Sequence, residues 1–206
     1  MNNNLFPILK EGWFHIGCGV VLFILLGFLD LDFLQFFSFV LVVFFIYIYR
    51  NPERQIMALE KGGLISPVDG RVSDIKENEN GVEITVESSY NDVSVLRVPI
   101  SCSVKSIEKI HGASLGKNSP KADILNEKLV ISFEDENKNV LKISHISRLN
   151  FSNIAHDLIE SQRLIQGLRY GVMLKGTTKI TLSNVKKVNV TIGDEIKSCE
   201  STIAYL

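Results

Sequence analysis

Residues able to carry chemistry are few in this chain and form no ready-made centre. The histidines, His15, His111, His145 and His156, are scattered. Outside the apolar N-terminus each reads as an ordinary surface or half-buried residue. Cys18, Cys102 and Cys199 include no Cys-x-x-Cys pair. That spacing gives neither a zinc site nor a disulfide framework, and it fits a reducing compartment. Cys102 would need a lowered pKa to act as a thiolate, and no charge close in sequence supplies one. Gly112-Ala113-Ser114-Leu115-Gly116-Lys117 has the look of a phosphate loop but lacks its spacing and its following Ser or Thr. Three local patterns remain. They are Ser66-Pro67-Val68-Asp69-Gly70-Arg71-Val72, Asn126-Glu127-Lys128, and Gly167-Leu168-Arg169-Tyr170-Gly171 followed by Lys175-Gly176-Thr177.

The elements that must position these residues fall into two textures. The chain has 206 residues, enough for one modest domain plus an anchor, and its net charge of -1 offers no field for nucleic acid. From Gly12 to Tyr49 it is almost wholly apolar, broken once by Asp30-Leu31-Asp32. The two runs, Gly12 to Leu29 and Phe33 to Tyr49, each approach the ~17–25 residues that a helix needs to cross a bilayer. Lys10 precedes the pair, and Arg50 and Arg54 follow it. Basic outer ends with acids in the turn place both ends in the cytoplasm. Trp13, Tyr47 and Tyr49 lie where amphipathic rings favour the headgroup layer. The reading is a transmembrane helical hairpin over residues 1–54. A hairpin that enters the bilayer without crossing has the same composition. A cleaved signal peptide would need a small-residue cleavage site that is absent.

After Arg54 short β-rich runs alternate with turns: Val82–Glu87, Val93–Val98, Leu129–Phe133, Val140–Ile146, Val172–Leu174, Lys179–Leu182, Val188–Ile192 and Thr202–Ala204. This predicts a mostly β domain over residues 55–206, a sandwich or barrel. Phe151, Ile154, Ala155, Leu158 and Ile159 recur at helical spacing and predict one short helix over Asn153–Ser161. Leu164–Val172 and Val188–Ser198 share a turn-rich form, which suggests a quasi-duplicated hammerhead fold like that of lipoyl carrier domains. No lysine stands at an exposed hairpin tip for carrier modification.

Taken in order, Tyr49-Arg50-Asn51-Pro52-Glu53-Arg54 and the three patterns above resemble the phosphatidylserine decarboxylase family, in its short form with an N-terminal membrane hairpin. The likeness covers nearly the whole chain. It implies a lyase of phospholipid biosynthesis that converts phosphatidylserine to phosphatidylethanolamine at the cytoplasmic face of the cell membrane. Members of that family make their own pyruvoyl group. A serine hydroxyl attacks the preceding glycine carbonyl, the ester eliminates, and the ketone left at the new N-terminus accepts the substrate amine and serves as electron sink. An aspartate of the Ser-Pro-x-Asp-Gly motif and a histidine of a Pro-Leu-Asp-Val-His-Val motif assist.

Carried over residue by residue, the match is partial. Asp69 takes the aspartate position and Gly176 the glycine before the scissile bond. The serine position falls on Thr177, whose product would be a 2-oxobutanoyl group. Val98-Pro99-Ile100-Ser101-Cys102-Ser103-Val104 aligned with the histidine motif puts Ser103 in the histidine's place and Ser101 in its aspartate's. A serine is no general base near neutral pH, and such a base is worth ~10²–10⁴ in rate. Strand alternation turns Cys102 away from the face used by Ser103. The expected site is therefore Asp69, Gly176, Thr177 and Ser103, with no metal. Three functions stay open: the decarboxylase, a non-catalytic membrane-tethered homologue that binds phospholipid or an active relative, and a carrier-type domain. The partner expected is membrane phospholipid, with a second copy or an active homologue beside it.

Overall fold

The computed structural model describes residues 6–56, 62–78, 81–113, 115, 119, 121–148 and 153–206. Lys117 and Phe151, singled out above, lie outside these residues, as do Ser114 and Gly116 of the glycine-rich run. The chain forms two compact units, Asn2–Glu53 and Arg54–Leu206.

The first unit is a pair of helices, α1 (Trp13–Phe28) and α2 (Asp32–Ile48). Asp30 turns the chain between them with a positive φ of 52°. The helices run antiparallel, with His15 against Phe45 and Phe23 against Phe39. Gly19 makes the close approach possible: a Cβ there would lie 2.8 Å from the Val42 side chain. At the same level the Ser38 hydroxyl donates to the Gly19 carbonyl at 3.1 Å, so a polar side chain in an apolar pair is satisfied. The outer faces are apolar: Phe14 is 75% exposed, Phe28 83% and Phe33 74%. The helical stretch Lys10–Phe28, 19 residues, is long and apolar enough to cross a membrane, whereas α2, at 17, is shorter.

The second unit is mostly β, as composition predicts. In chain order it holds β1 (Gly63–Ile65), β2 (Gly70–Asn78), β3 (Gly81–Ser88), β4 (Val95–Arg97), β5 (Cys102–Ile110), a one-turn helix α3 (Ala122–Leu125), β6 (Lys128–Asp135) and β7 (Val140–Ser147). After these come β8 (Ala155–His156), β9 (Arg163–Leu164), β10 (Arg169–Val172), β11 (Gly176–Leu182), β12 (Lys187–Val188), β13 (Glu195–Ile196) and β14 (Thr202–Tyr205). Eight strands make one sheet in the order β13-β2-β3-β11-β7-β6-β5-β9; β1-β14-β12 and β4-β10-β8 make two small ones. Period-2 burial turns Ile84, Val86, Ile131, Phe133, Ile143 and Ile180 to one face of the large sheet, where they join Leu64, Leu96, Tyr170 and Ile203 in a single core.

The sheet order is palindromic, and the pairings explain why. Among the described residues the strands fall into two sets of seven. β4 to β10 form one set; β11 to β14 with β1 to β3 form the other. Within each set a short strand pairs with the last strand of a turn-rich unit: β4 with β10, β1 with β14. That unit's middle strand caps a long one: β9 on β5, β13 on β2. The long strands carry the same bulge, between Val104 and Ser106 and between Val72 and Asp74. At each bulge one residue donates and accepts across the same turn: Val104 with Gln162 and Ser161, Val72 with Asp194 and Gly193. β7 and β11 meet antiparallel at the centre. The resemblance between Leu164–Val172 and Val188–Ser198 is thus part of a repeat that spans the whole unit.

The helix expected over Asn153–Ser161 is absent. Ala155 and His156 form β8 against β10, the Asp157 amide donates to the Tyr170 carbonyl, and the Ile154 amide donates to Glu127 Oε2. Sheet partners satisfy the backbone groups that a helix would have satisfied internally. Ile154 and Leu158 are buried, but Ile159 is 71% exposed. The helical spacing came from two core residues on an extended segment. The short helix lies instead at α3.

Candidate functional site

The turn between β1 and β2 carries Asp69. The Ser66 hydroxyl donates to the Val68 carbonyl at 2.6 Å and closes the turn. The Asp69 carboxylate is buried and accepts four groups. Arg54 forks onto it, Nη1 to Oδ1 at 2.5 Å and Nη2 to Oδ2 at 2.7 Å. The Ser198 amide donates to Oδ1 at 2.8 Å and the Val93 amide to Oδ2 at 3.3 Å. Arg54 also donates to the Ser198 carbonyl and meets Glu200 through Nε at 3.3 Å. Burial pulls the Arg54 guanidinium's pKa down, but the hydrogen bond and charge of Asp69, with that of Glu200, outweigh it and hold it above its usual value. A buried pair of this kind is stable only because its hydrogen-bonding capacity is filled.

Gly176 and Thr177 open β11, the strand at the centre of the sheet. Gly176 lies between Ser88 on β3 and Ser147 on β7; Thr177 lies between Glu87 and Ile146. A Cβ at position 176 would meet the Ile146 carbonyl oxygen at 2.4 Å, so the strand passes here only as glycine. Ser88 ties this point to Asp69, its hydroxyl donating to the Asp69 carbonyl at 2.5 Å. On the other side Asn126 Nδ2 donates to the Ser147 carbonyl at 2.8 Å and also closes on Leu115. Asp69, Gly176 and Asn126 therefore converge on one cross-strand row, Ser88–Gly176–Ser147.

Side-chain alternation divides the two threonines between faces. Thr178 faces the core. Its hydroxyl is 2.9 Å from His145 Nδ1, and His145 Nε2 is 2.6 Å from the Tyr170 hydroxyl. Burial drives the His145 pKa down to about 3 and pushes that of Tyr170 up, so this chain of polar groups is neutral. Thr177 faces away from it. Its Oγ accepts a hydrogen bond from Arg148 Nε at 2.8 Å. Arg148 Nη2 continues to Asp123 Oδ1 at 2.6 Å, and Lys179 Nζ reaches Asp123 Oδ2 at 2.9 Å. The Lys179 hydrogen bond, with the Lys179 and Arg148 charges, holds the Asp123 carboxyl below its usual range against the opposing effect of burial. Among the described residues no group of three or more His, Cys, Asp or Glu side chains is placed to hold a metal ion.

Ser103 is not part of this convergence. It sits on β5 opposite Glu134 and Arg163, and its hydroxyl reaches the Glu134 carbonyl at 3.4 Å. The Thr177 row crosses β6 at Lys128, and the Ser103 row crosses it at Glu134. That separation is ~20 Å along the strand. Ser101 accepts from the Gln166 amide at 3.1 Å. Cys102 is buried, its thiol pushed up to about 12 by burial and by the Asp135 charge. His111 is exposed. His156 is partly buried in β8, its pKa lowered by burial and by Lys109.

The segment that does reach Asp69 is Asp92-Val93-Ser94-Val95. Val93 donates to the Asp69 carboxylate, and the buried Ser94 accepts the Met173 amide at 2.9 Å through its carbonyl. These four residues match the Asp-Val-His-Val part of the family motif, with serine in the histidine's place. Sequence reasoning missed this register because Val98-Pro99-Ile100-Ser101 supplied the leading proline. It also missed Arg148, which no motif marks.

Comparison with known proteins agrees with these motifs. The family profile described as phosphatidylserine decarboxylase matches residues 41–204. A phosphatidylserine decarboxylase proenzyme of Geobacter metallireducens is 28% identical over the full length of both chains. One of Ehrlichia chaffeensis is 29% identical over 78% of this chain and 75% of the relative. One of Symbiobacterium thermophilum is 26% identical over 97% of this chain and 95% of the relative. No solved structure matches. The chain belongs to the phosphatidylserine decarboxylase family.

Proposed function

We propose that this protein decarboxylates phosphatidylserine to phosphatidylethanolamine at the cytoplasmic face of a membrane, through a keto group made by cleavage at Gly176–Thr177. The observation that carries the reading is the convergence of the motif segments on the entry to β11, where Gly176 and Asp69 share Ser88 as neighbour. The relatives' description as proenzymes supports a self-processed chain. Thr177 fits the group in part, because it supplies the hydroxyl and, with its extra methyl, would yield a 2-oxobutanoyl in place of a pyruvoyl. That ketone would supply the electron sink for loss of carbon dioxide. The chain's own residues would do the rest: Arg54 fixes the Asp69 carboxylate, and Gly176 leaves room for the scissile peptide to pass Ile146. α1 and α2 would cross as a hairpin, keeping the β unit on substrates that stay in the bilayer. The palindromic sheet supports a hammerhead-type duplicated fold.

One specific observation favours a second reading, a non-catalytic homologue that binds phospholipid or an active partner. Serine stands at both registers of the histidine motif, Ser94 and Ser103, and the hydroxyl of Thr177 meets a cation where a base is needed. Intact mass separates the two. Two chains, the shorter being Thr177–Leu206 with a blocked N-terminus, establish processing. A single full-length chain after days at neutral pH excludes the keto mechanism. Asp69→Ala is expected to abolish the cleavage, and survival at an unchanged rate removes Asp69 from the chemistry.

A further inference from the structure

We propose that Arg148 is the positioning residue for the Thr177 hydroxyl, holding its oxygen in place for attack on the Gly176 carbonyl and offsetting the negative charge that forms. The inference rests on the processing reading above and names the group that serves it in place of a histidine. Arg148 follows β7 directly, and its amide donates to the Lys175 carbonyl at 3.0 Å, which sets it beside the scissile peptide. Its side chain is only 12% exposed and lies over Thr177, which is 3% exposed. Nε donates to Thr177 Oγ and Nη2 to Asp123, so the planar guanidinium is fixed at two points. Nη1 is sealed from water and has no hydrogen-bond partner among the described residues. A buried donor without a partner is costly, and a developing oxyanion would satisfy it.

Arginine cannot accept the hydroxyl proton, because it stays charged at any working pH. It acts by stabilising the oxygen as the proton leaves to water or hydroxide. The balance is complete without an oxidant. Thr177 Oγ bonds to the Gly176 carbonyl carbon, the Gly176–Thr177 C–N bond breaks, and the nitrogen takes a proton. Loss of the Thr177 Cα proton then expels Gly176 as a carboxylate. Water converts the resulting enamine, through its imine, to the ketone and releases ammonia.

The test follows cleavage of the purified full-length protein in detergent by intact mass, across pH 6 to 9, with a thermal melt of each variant. Wild type should split at a rate that keeps rising with pH, with no plateau near the ~6.5 of an imidazole base. Arg148→Met should slow cleavage roughly 10²-fold, the loss typical of one donor to a developing oxyanion. Arg148→Lys should recover part of the rate, since the charge returns without the fork. If Arg148→Met does not fold, Arg148→Gln replaces it and is read the same way. An Arg148→Met protein that splits at the wild-type rate, or a plateau near 6.5, overturns the role of Arg148 and leaves the proposed function standing. A wild type that stays whole overturns both.

Discussion

Two corners of the β unit are built on one backbone plan and hold different chemistry. At the first, Ser66-Pro67-Val68-Asp69 links β1 to β2; at the second, Val98-Pro99-Ile100-Ser101 links β4 to β5. They bond to each other reciprocally: the Arg97 amide donates to the Pro67 carbonyl and the Ile65 amide to the Pro99 carbonyl. Each ends on an oxygen that accepts a backbone amide from the opposite turn, Asp69 from Ser198 and Ser101 from Gln166. The next residue of each turn, Cys199 or Gly167, has positive φ and donates its amide back to the corner, to Ser66 or to Val98. The fold therefore needs only a neutral acceptor at this place. The carboxylate at Asp69, and the buried guanidinium of Arg54 that balances it, exceed what folding asks for. Charge retained where a hydroxyl would suffice fits the role proposed for Asp69.

The comparison breaks most visibly by removing the charge. Asp69→Ala should cost about 3–5 kcal/mol in urea unfolding, because Arg54 is left buried without its partner. Ser101→Ala should cost about 1 kcal/mol, the worth of one neutral hydrogen bond. Arg54→Met combined with Asp69→Ser turns the first corner into a copy of the second. The double variant should regain most of the stability lost by Asp69→Ser alone, and additive losses would show that the corners are not equivalent. Tyr170→Phe leaves one nitrogen of His145 unsatisfied in the core and should cost about 1–3 kcal/mol. One further effect is a slope with pH. His145 is neutral in the fold and its pKa falls to about 3, so the unfolded chain binds the extra proton below about 6.5. Stability should therefore fall as pH drops from 6.5 toward 3, at up to about 1.4 kcal/mol per pH unit from this group. His145→Gln should flatten that slope in urea titrations at pH 4, 5 and 6.

Much of this architecture was legible in the sequence. Alternating runs such as Leu129–Phe133 and Val140–Ile146 became β6 and β7 because period-2 burial is written directly in residue type. The two apolar runs became α1 and α2 within a residue or so. Ile154 and Leu158 misled, since four-residue spacing also arises when an extended segment turns two residues to one core. The motifs also marked Asp69 and Gly176, which the fold brings to one cross-strand row through Ser88, with Thr177 next along β11. Ser103 was misplaced because the second corner repeats the proline of the first, and a repeat inside one chain imitates a motif. Arg148 was hidden, since its role depends on a cross-strand diagonal that only the register of β7 on β11 defines.

Where β11 lies has a mechanical consequence. A chain cut between Gly176 and Thr177 would not come apart. The downstream piece is zipped to β3 and β7 through β11, to β2 through β13 and to β1 through β14. It enters the large sheet at one edge and at the centre, so the severed ends would be held in register by neighbours on either side. The two fragments should copurify as one folded body and part only when that body is denatured.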